Sequence, residues 1–197
     1  SMLLRPANVK PSCQFWLSEA VALAVVHTLD RYIDNGVSIK WPNDIYWNDR
    51  KICGILVEHS LSGGKIDHTI AGIGLNINQE KFLSDAPNPV SLRQIIGCDT
   101  PLSDVLRHLS EELLRLADSL PDNAESLHAE FLSRLYRRNG LHTYRNVADR
   151  TADHLAAGEE FCAEIADVAP DGILTLARPD GSRPRFAFKE VEFVIGK

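Results

Sequence analysis

SIKWPNDIYWNDRKICGILVE, residues 38–58, decides the reading of this chain. Two apolar runs flank a compact polar block, Lys40-Trp41-Pro42-Asn43-Asp44. Proline cannot donate to a strand ladder, so a strand must break or bulge at Pro42. Asn48-Asp49 is turn chemistry between two strand-like runs, Asp44 to Trp47 and Lys51 to His59. By itself the block supports two readings. Trp41-Pro42 reads as a buried bend. Asn43-Asp44 is either turn chemistry or a pair of polar groups aimed into a cleft. Lys51, at the head of the apolar run Ile52 to Val57, is either a solvated strand end or a functional cation.

Outward from this block, Val37 to Trp41 and Lys65 to Ile73 complete a set of short strands, with Ser62-Gly63-Gly64 as a further turn. Upstream, the spacing of Trp16, Ala20, Leu23, Ala24 and His27 predicts a helix over about 13–33, capped by Ser12 and ended at Asn35-Gly36. Val21, Val25 and Val26 lie off that stripe, so the helix is expected to be packed on more than one side. Downstream, a Pro/Asn-rich loop at Asp85 to Pro89 precedes a short helix at Ser91 to Ile96. Thr100-Pro101 starts a longer helix with a stripe of Leu102, Leu106, Leu109, Leu113, Leu116 and Leu120. Asp122 and Glu125 start another, carrying Leu127, Phe131 and Leu135 and ended by Asn139-Gly140. The last stretch changes to short alternating strands with turns at Asp171-Gly172 and Asp180-Gly181. This organisation predicts a core over 1–148 and a small β module over 149–197.

Composition narrows the function classes. The chain has 197 residues and a formal net charge of −6, against the basic excess usual for nucleic-acid partners. No apolar run approaches the ~20 residues of a membrane helix. Four scattered cysteines without C-x-x-C read as reduced thiols, and a cytoplasmic location is expected. The seven histidines show no metal-ligand spacing. His27, His108 and His128 read as helix surface or core fill, Cys53 as a small buried apolar residue, and Asp104, Glu111 and Glu112 as a solvated face.

The blocks Lys40 to Asp44, Arg50 to Glu58 and Gly72-Ile73-Gly74-Leu75-Asn76-Ile77-Asn78, with their mutual spacing, resemble the biotin protein ligase family. The resemblance runs along essentially the whole chain, as the C-terminal part of a ligase. It implies an α+β fold: a mostly antiparallel mixed sheet packed with helices, of the class II synthetase-like biotin–lipoate ligase type, with a small C-terminal SH3-like β-barrel. It also implies activation of biotin by ATP to biotinyl-5′-AMP, followed by transfer to a lysine of a biotin carboxyl carrier domain, as in biotin–[acetyl-CoA-carboxylase] ligases. ATP and biotin would be the substrates, with Mg²⁺ expected alongside the phosphates.

Lys51 would then lie beside the biotin carboxyl and the adenylate phosphate. Gly54 would admit the ligand against the backbone, with Ile55 and Leu56 as its wall. Gly72, Gly74 and Asn76 would serve the nucleotide. Trp41, Asn43 and Asp44 would border the adenylate, Asp44 also orienting the incoming carrier lysine or a magnesium ion. Exposed strand edges would allow a homodimer. Neither nucleic acid nor membrane is an expected partner, and the sequence carries no winged-helix segment.

Family members carry a Gly/Arg-rich loop upstream of the Lys40 block. Ser1 to Pro6 reads as the end of a buried strand, so the chain is expected to be the downstream part of a longer one. These 197 residues alone are expected to adenylate biotin poorly or not at all. A carrier-docking or dimerising module without chemistry, and a lipoate-type ligase, are the competing readings. The Lys40-to-Asp44 block favours biotin over lipoate.

Overall fold

The computed structural model describes residues 1–6, 8–83, 88–147 and 155–195. The core of the Asp85 to Pro89 loop and the expected boundary at 148/149 lie outside the described residues. The chain forms two compact units, Ser1–Tyr136 and Arg137–Lys197. The first carries five strands: β1 (Met2–Leu4), β2 (Val37–Lys40), β3 (Asp44–Trp47), β4 (Arg50–Ser62) and β5 (Lys65–Leu75). They form one sheet in the order β1-β5-β4-β3-β2, every named pairing antiparallel.

Turn residues make the hairpins. Asn48 accepts a positive φ of 51° between β3 and β4, and Gly63 and Gly64 do so between β4 and β5. β3 and β4 slip register once: Tyr46 faces Lys51 while Ile45 faces Cys53, so Ile52 is an extra residue in β4. Such a bulge reverses the alternation of side chains on either side of it. Consequently Lys51 and Gly54, three apart, share a face.

The opposite face carries Ile45, Cys53, Ile55 and Ala71, all buried. It is covered by helix α1 (Phe15–Leu29), which also packs against α3 (Leu102–Asp118) and α4 (Ala124–Ser133). With neighbours on several sides, α1 buries Leu17 and nearly every residue from Glu19 to Leu29, as its off-stripe valines implied. It starts later than expected. A 3-10 turn spans Pro11–Cys13, Gln14 is the N-cap, and Ser12 makes no cap bond to it. The short α2 (Leu92–Ile96) is capped by Ser91, which accepts from the Gln94 N–H while Gln94 reaches back to the Ser91 N–H.

Three helix readings change. The stripe of α3 is Val105, Leu109, Leu113, Leu116 and Ala117; Leu102 and Leu106 are 61% and 63% exposed. They match the spacing, but in the first turns of the helix Val105 is the buried residue and they stay exposed. α4 stops at Ser133, short of Asn139-Gly140, because the chain turns to pair with β2: Ile39 N–H donates to Arg134 O and Tyr136 N–H to Ile39 O, both 2.8 Å. Glu112 is not simply solvated. With Glu130 it flanks His27, at 3.2 and 2.7 Å from the two ring nitrogens. Hydrogen bonds from Arg115, then His27, lower its pKa.

The second unit is a five-stranded antiparallel sheet ordered β10-β6-β7-β8-β9, from β6 (His142–Asn146), β7 (Glu160–Val168), β8 (Leu174–Ala177), β9 (Arg185–Phe186) and β10 (Val191–Phe193). β6 is polar in composition and carries no strand signal in the sequence. It joins through buried Tyr144, whose ring meets Phe193 at 5.0 Å and Phe161 at 6.1 Å. The alternation in β7 puts Phe161, Ala163 and Ile165 inside.

Leu113→Ala is expected to lower stability by about 2–5 kcal/mol, and Leu106→Ala by no more than about 0.5 kcal/mol. Urea unfolding of the two variants checks the revised stripe; equal losses would contradict it.

Candidate active site

The exposed face of the first sheet carries the site. Cross-strand register lays out three rungs on it. Asp44, Gly54 and Gly74 are partners across β3, β4 and β5; Leu56 faces Gly72; and Glu58, Ile70 and Leu3 follow. The centre of this face is therefore bare backbone, bordered by exposed apolar side chains. Leu56, Ile70 and Leu3 are all exposed.

Lys51 Nζ and Asp44 Oδ1 meet over this floor at 2.6 Å. Both side chains are partly exposed. A Cβ built at Gly54 would stand 3.3 Å from Lys51 Cε and Nζ and 3.8 Å from Asp44 Oδ1. Glycine at 54 therefore leaves room for the ammonium to lie across the strand. Cβ atoms at Gly72 and Gly74 would make only ordinary contacts, at 3.5 Å or more. There the missing side chains keep the face open and are not required by crowding.

The backbone of Lys51 is held on its other side. β5 ends at Leu75, and the segment 88–90 takes its place beside β4 in parallel sense. Lys51 N–H donates to Asn88 O and accepts at its carbonyl from Val90 N–H, both 2.9 Å. Arg50 Nη2 also donates to Pro89 O at 3.0 Å. Asn76 ties this segment to the sheet: its N–H donates to Ile52 O, its side-chain amide to Val90 O at 3.1 Å, and its carbonyl accepts from Leu92 N–H.

On the other flank, Asn43 Nδ2 donates to Ile55 O at 2.6 Å and Ile55 N–H to Asn43 O at 2.8 Å. The residues expected at the site thus divide into groups. Lys51, Asp44, Gly54, Gly72, Gly74 and Leu56 come together on one face. Asn43 and Asn76 flank it, with their amides engaged in bracing bonds. The Ile55 side chain points into the core, and Trp41 is buried at the bend next to a cis Pro42.

Two features near the site, one residue and one segment, carry no signal in the sequence. Tyr46 is buried beside Tyr136, with ring centroids 5.4 Å apart, and the Lys40 ammonium lies 5.3 Å from the centre of its ring. Burial first, then the Asp44 carboxylate, pushes its phenol up to about 12, so it stays neutral. The 88–90 segment is the other; a long-range parallel bridge leaves no periodicity to read. Cys53 is a buried thiol, as expected, pushed up to about 12 by burial and then by Asp44.

Among the described residues no group of three or more His, Cys, Asp or Glu side chains could hold a metal ion. No helix among them is long and apolar enough to cross a membrane.

Residues 1–76 match the model of the biotin/lipoate A/B protein ligase family. A chloroplastic biotin–protein ligase of Arabidopsis thaliana is 31% identical over 200 residues, covering 91% of this chain and 50% of its own length. The biotin–[acetyl-CoA-carboxylase] ligase of Mycobacterium tuberculosis is 26% identical over 184 residues, covering 89% and 62%. The bifunctional ligase/repressor BirA of Bacillus subtilis is 32% identical over 114 residues, covering 55% and 34%. The chain therefore spans less than two thirds of each of these relatives.

The fold matches the biotin protein ligase of Aquifex aeolicus solved with biotin and ATP, at a TM-score of 0.69 and 19% identity over 91% of this chain and 72% of that one. It also matches a biotin protein ligase-like protein of unknown function from Silicibacter, at 0.71 and 14% identity over 93% and 75%.

The thiol positions give a direct check on the sheet. In the native protein at pH 8, exposed Cys98 and Cys162 are expected to alkylate while Cys53 stays unmodified until unfolding, since little thiolate forms below a pKa of about 12. Peptide mass mapping reads this, and labelling of Cys53 at the rate of Cys98 would contradict it.

Proposed function

We propose that this chain, whose residues 1–76 match the biotin/lipoate A/B protein ligase family, is the core of an ATP-dependent biotin ligase whose chemistry centres on Lys51. The observation that carries this is the Lys51–Asp44 pair, at 2.6 Å, lying over the glycine floor of Gly54 and Gly74.

In the first step a biotin carboxylate oxygen attacks the α-phosphorus of ATP. An acyl–phosphate bond forms, and pyrophosphate leaves with the electrons of the broken P–O bond. Two anions must meet: unit charges about 4 Å apart repel by about 4 kcal/mol at an effective dielectric of about 20. An ammonium between them relieves that repulsion and stabilises the charge building on the phosphoryl oxygens. Lys51 suits this role as a compact cation with three donors. Asp44 holds it before the ligands arrive. The bare rungs let an adenylate lie against the backbone, and exposed Leu56, Ile70 and Leu3 offer an apolar border to biotin's ring and chain.

In the second step the uncharged amine of a carrier lysine attacks the acyl carbon, AMP leaves, and the amine gives up a proton. Asp44, the carboxylate nearest Lys51, would orient that incoming amine. The described residues supply no three-ligand cluster for Mg²⁺. A magnesium ion would arrive on the ATP phosphates, held by them and by water.

The family name also covers lipoate. The block Lys40 to Asp44, through its resemblance to the biotin protein ligases, favours biotin. Calorimetry is expected to detect biotin and no lipoate; binding of lipoate in preference to biotin would reverse the assignment.

In the full-length protein, Lys51→Ala is expected to reduce biotin-dependent conversion of radiolabelled ATP to biotinyl-AMP by about 10²–10³-fold. Lys51→Arg is not expected to restore it, because the planar guanidinium does not reproduce a point charge at the same place. A Lys51→Ala rate near wild type would remove this residue from the reaction.

A further inference from the structure

Asn43 has one conspicuous property: it satisfies both backbone groups of a residue on the neighbouring strand. Ile55 N–H donates to the Asn43 main-chain carbonyl at 2.8 Å, and the Asn43 side-chain amide donates to Ile55 O at 2.6 Å. This closed ring has the form of a hydrogen-bonded pair in an antiparallel ladder, with a side-chain amide standing in for a main-chain N–H. β3 begins only at Asp44, directly after the bend at Pro42. The ring thus extends the β3–β4 ladder by one position, into a turn where proline adjoins and the ladder would otherwise stop.

The next rung is Asp44 facing Gly54. It is the rung on which the Lys51–Asp44 pair rests, with the Gly54 backbone under the ammonium. On its other side the ladder slips at the Ile52 bulge. Between that rung and the bulge stands only the Ile45–Cys53 pair, so without the ring the rung would be the open end of a two-pair ladder. With it, Asp44 is fixed from one end by Asn43–Ile55, and Lys51 from the other by the 88–90 segment.

From this we infer that Asn43 is a positioning residue: it sets the register that aims Asp44 at Lys51, and it does so through Ile55 and not by touching the nucleotide. The inference rests on the role given to Lys51 above. Its amide donor is committed to a core strand at a short distance, and the side chain of that strand residue is itself buried. An amide engaged in this way is a strut. The consequence for the reaction is specific. Loss of a strut misplaces the cation and acid while leaving the surfaces that bind ATP and biotin in place, so it lowers turnover more than affinity.

Asn43→Asp is the sharpest variant. It keeps the volume, removes the donor and sets a carboxylate oxygen against the Ile55 carbonyl; Asn43→Ala is the companion. Two readouts decide. In steady-state assays of the full-length protein, both variants are expected to lower kcat for biotinyl-AMP formation by about 10-fold or more, with KM for ATP and biotin within about 3-fold of wild type, as for a displaced catalytic group. In a crystal structure of a folded variant, the Lys51–Asp44 separation is expected to exceed about 4 Å, the limit of an ion pair. An unchanged ion pair, or a rise in KM for ATP with kcat preserved, would overturn the inference, the latter by showing that the amide touches the nucleotide. If the wild-type protein made no biotinyl-AMP, the proposed function would fall, and the ion-pair distance alone would still decide the strut.

Discussion

One ammonium lying across bare backbone organises the first unit. The Lys51–Asp44 pair, at 2.6 Å, lies over Gly54, whose cross-strand partner is Asp44 itself. The pair is a poor candidate for a stability device. Partly exposed ion pairs contribute about 0–1 kcal/mol at best. The glycines around it are each less favourable inside a strand than a residue that packs. A bulge, a proline bend and glycines at 54, 72 and 74 concentrated on one face of two central strands are local departures of the kind expected at a functional site. The other face is filled by ordinary packing: Ile45, Cys53, Ile55 and Ala71 under a helix buried nearly all round.

The departures are braced by polar side chains used as structural ties. Asn43 completes the ladder beyond the bend. Asn76 carries three bonds joining β5, β4 and the segment leading into α2. Asn78 exchanges two bonds with the main chain of Thr100, fixing the approach to α3. Each amide bonds a backbone group that has no regular ladder partner at that point, and buried backbone groups left unmet would cost about 1–3 kcal/mol. The asparagines of the two polar blocks thus frame the site, while Lys51 and Asp44 face the space above it.

Much of this was legible in the sequence because it is local. Short strand-like runs, with Asn48-Asp49 and Ser62-Gly63-Gly64 as turns, outline β2 to β5, and Pro42 marks the bend. The glycines at 54, 72 and 74 are visible as glycines, but only the register shows that they share a face with Asp44. That register depends on the Ile52 bulge, which no periodicity announces. The bonds of Asn43 and Asn76 were equally hidden, since an amide in a motif reads the same whether it meets a ligand or a carbonyl. Leu102 and Leu106 satisfy the helical spacing yet lie outside the packed stripe, because spacing says which residues share a face and not which of them meet a neighbour. β6 offers no apolar alternation to read, because its two buried residues are Tyr144 and the polar Asn146.

On the function proposed, the ammonium of Lys51 meets the negative charge of an acyl-adenylate on this face. A crystal structure of the full-length protein with a non-hydrolysable biotinyl-adenylate analogue tests it most directly. The account predicts Lys51 Nζ within about 2.7–3.2 Å of an oxygen of the phosphate-mimicking group, with the adenylate over Gly54 and Gly74. An analogue bound elsewhere, with that ammonium turned to solvent, would contradict it.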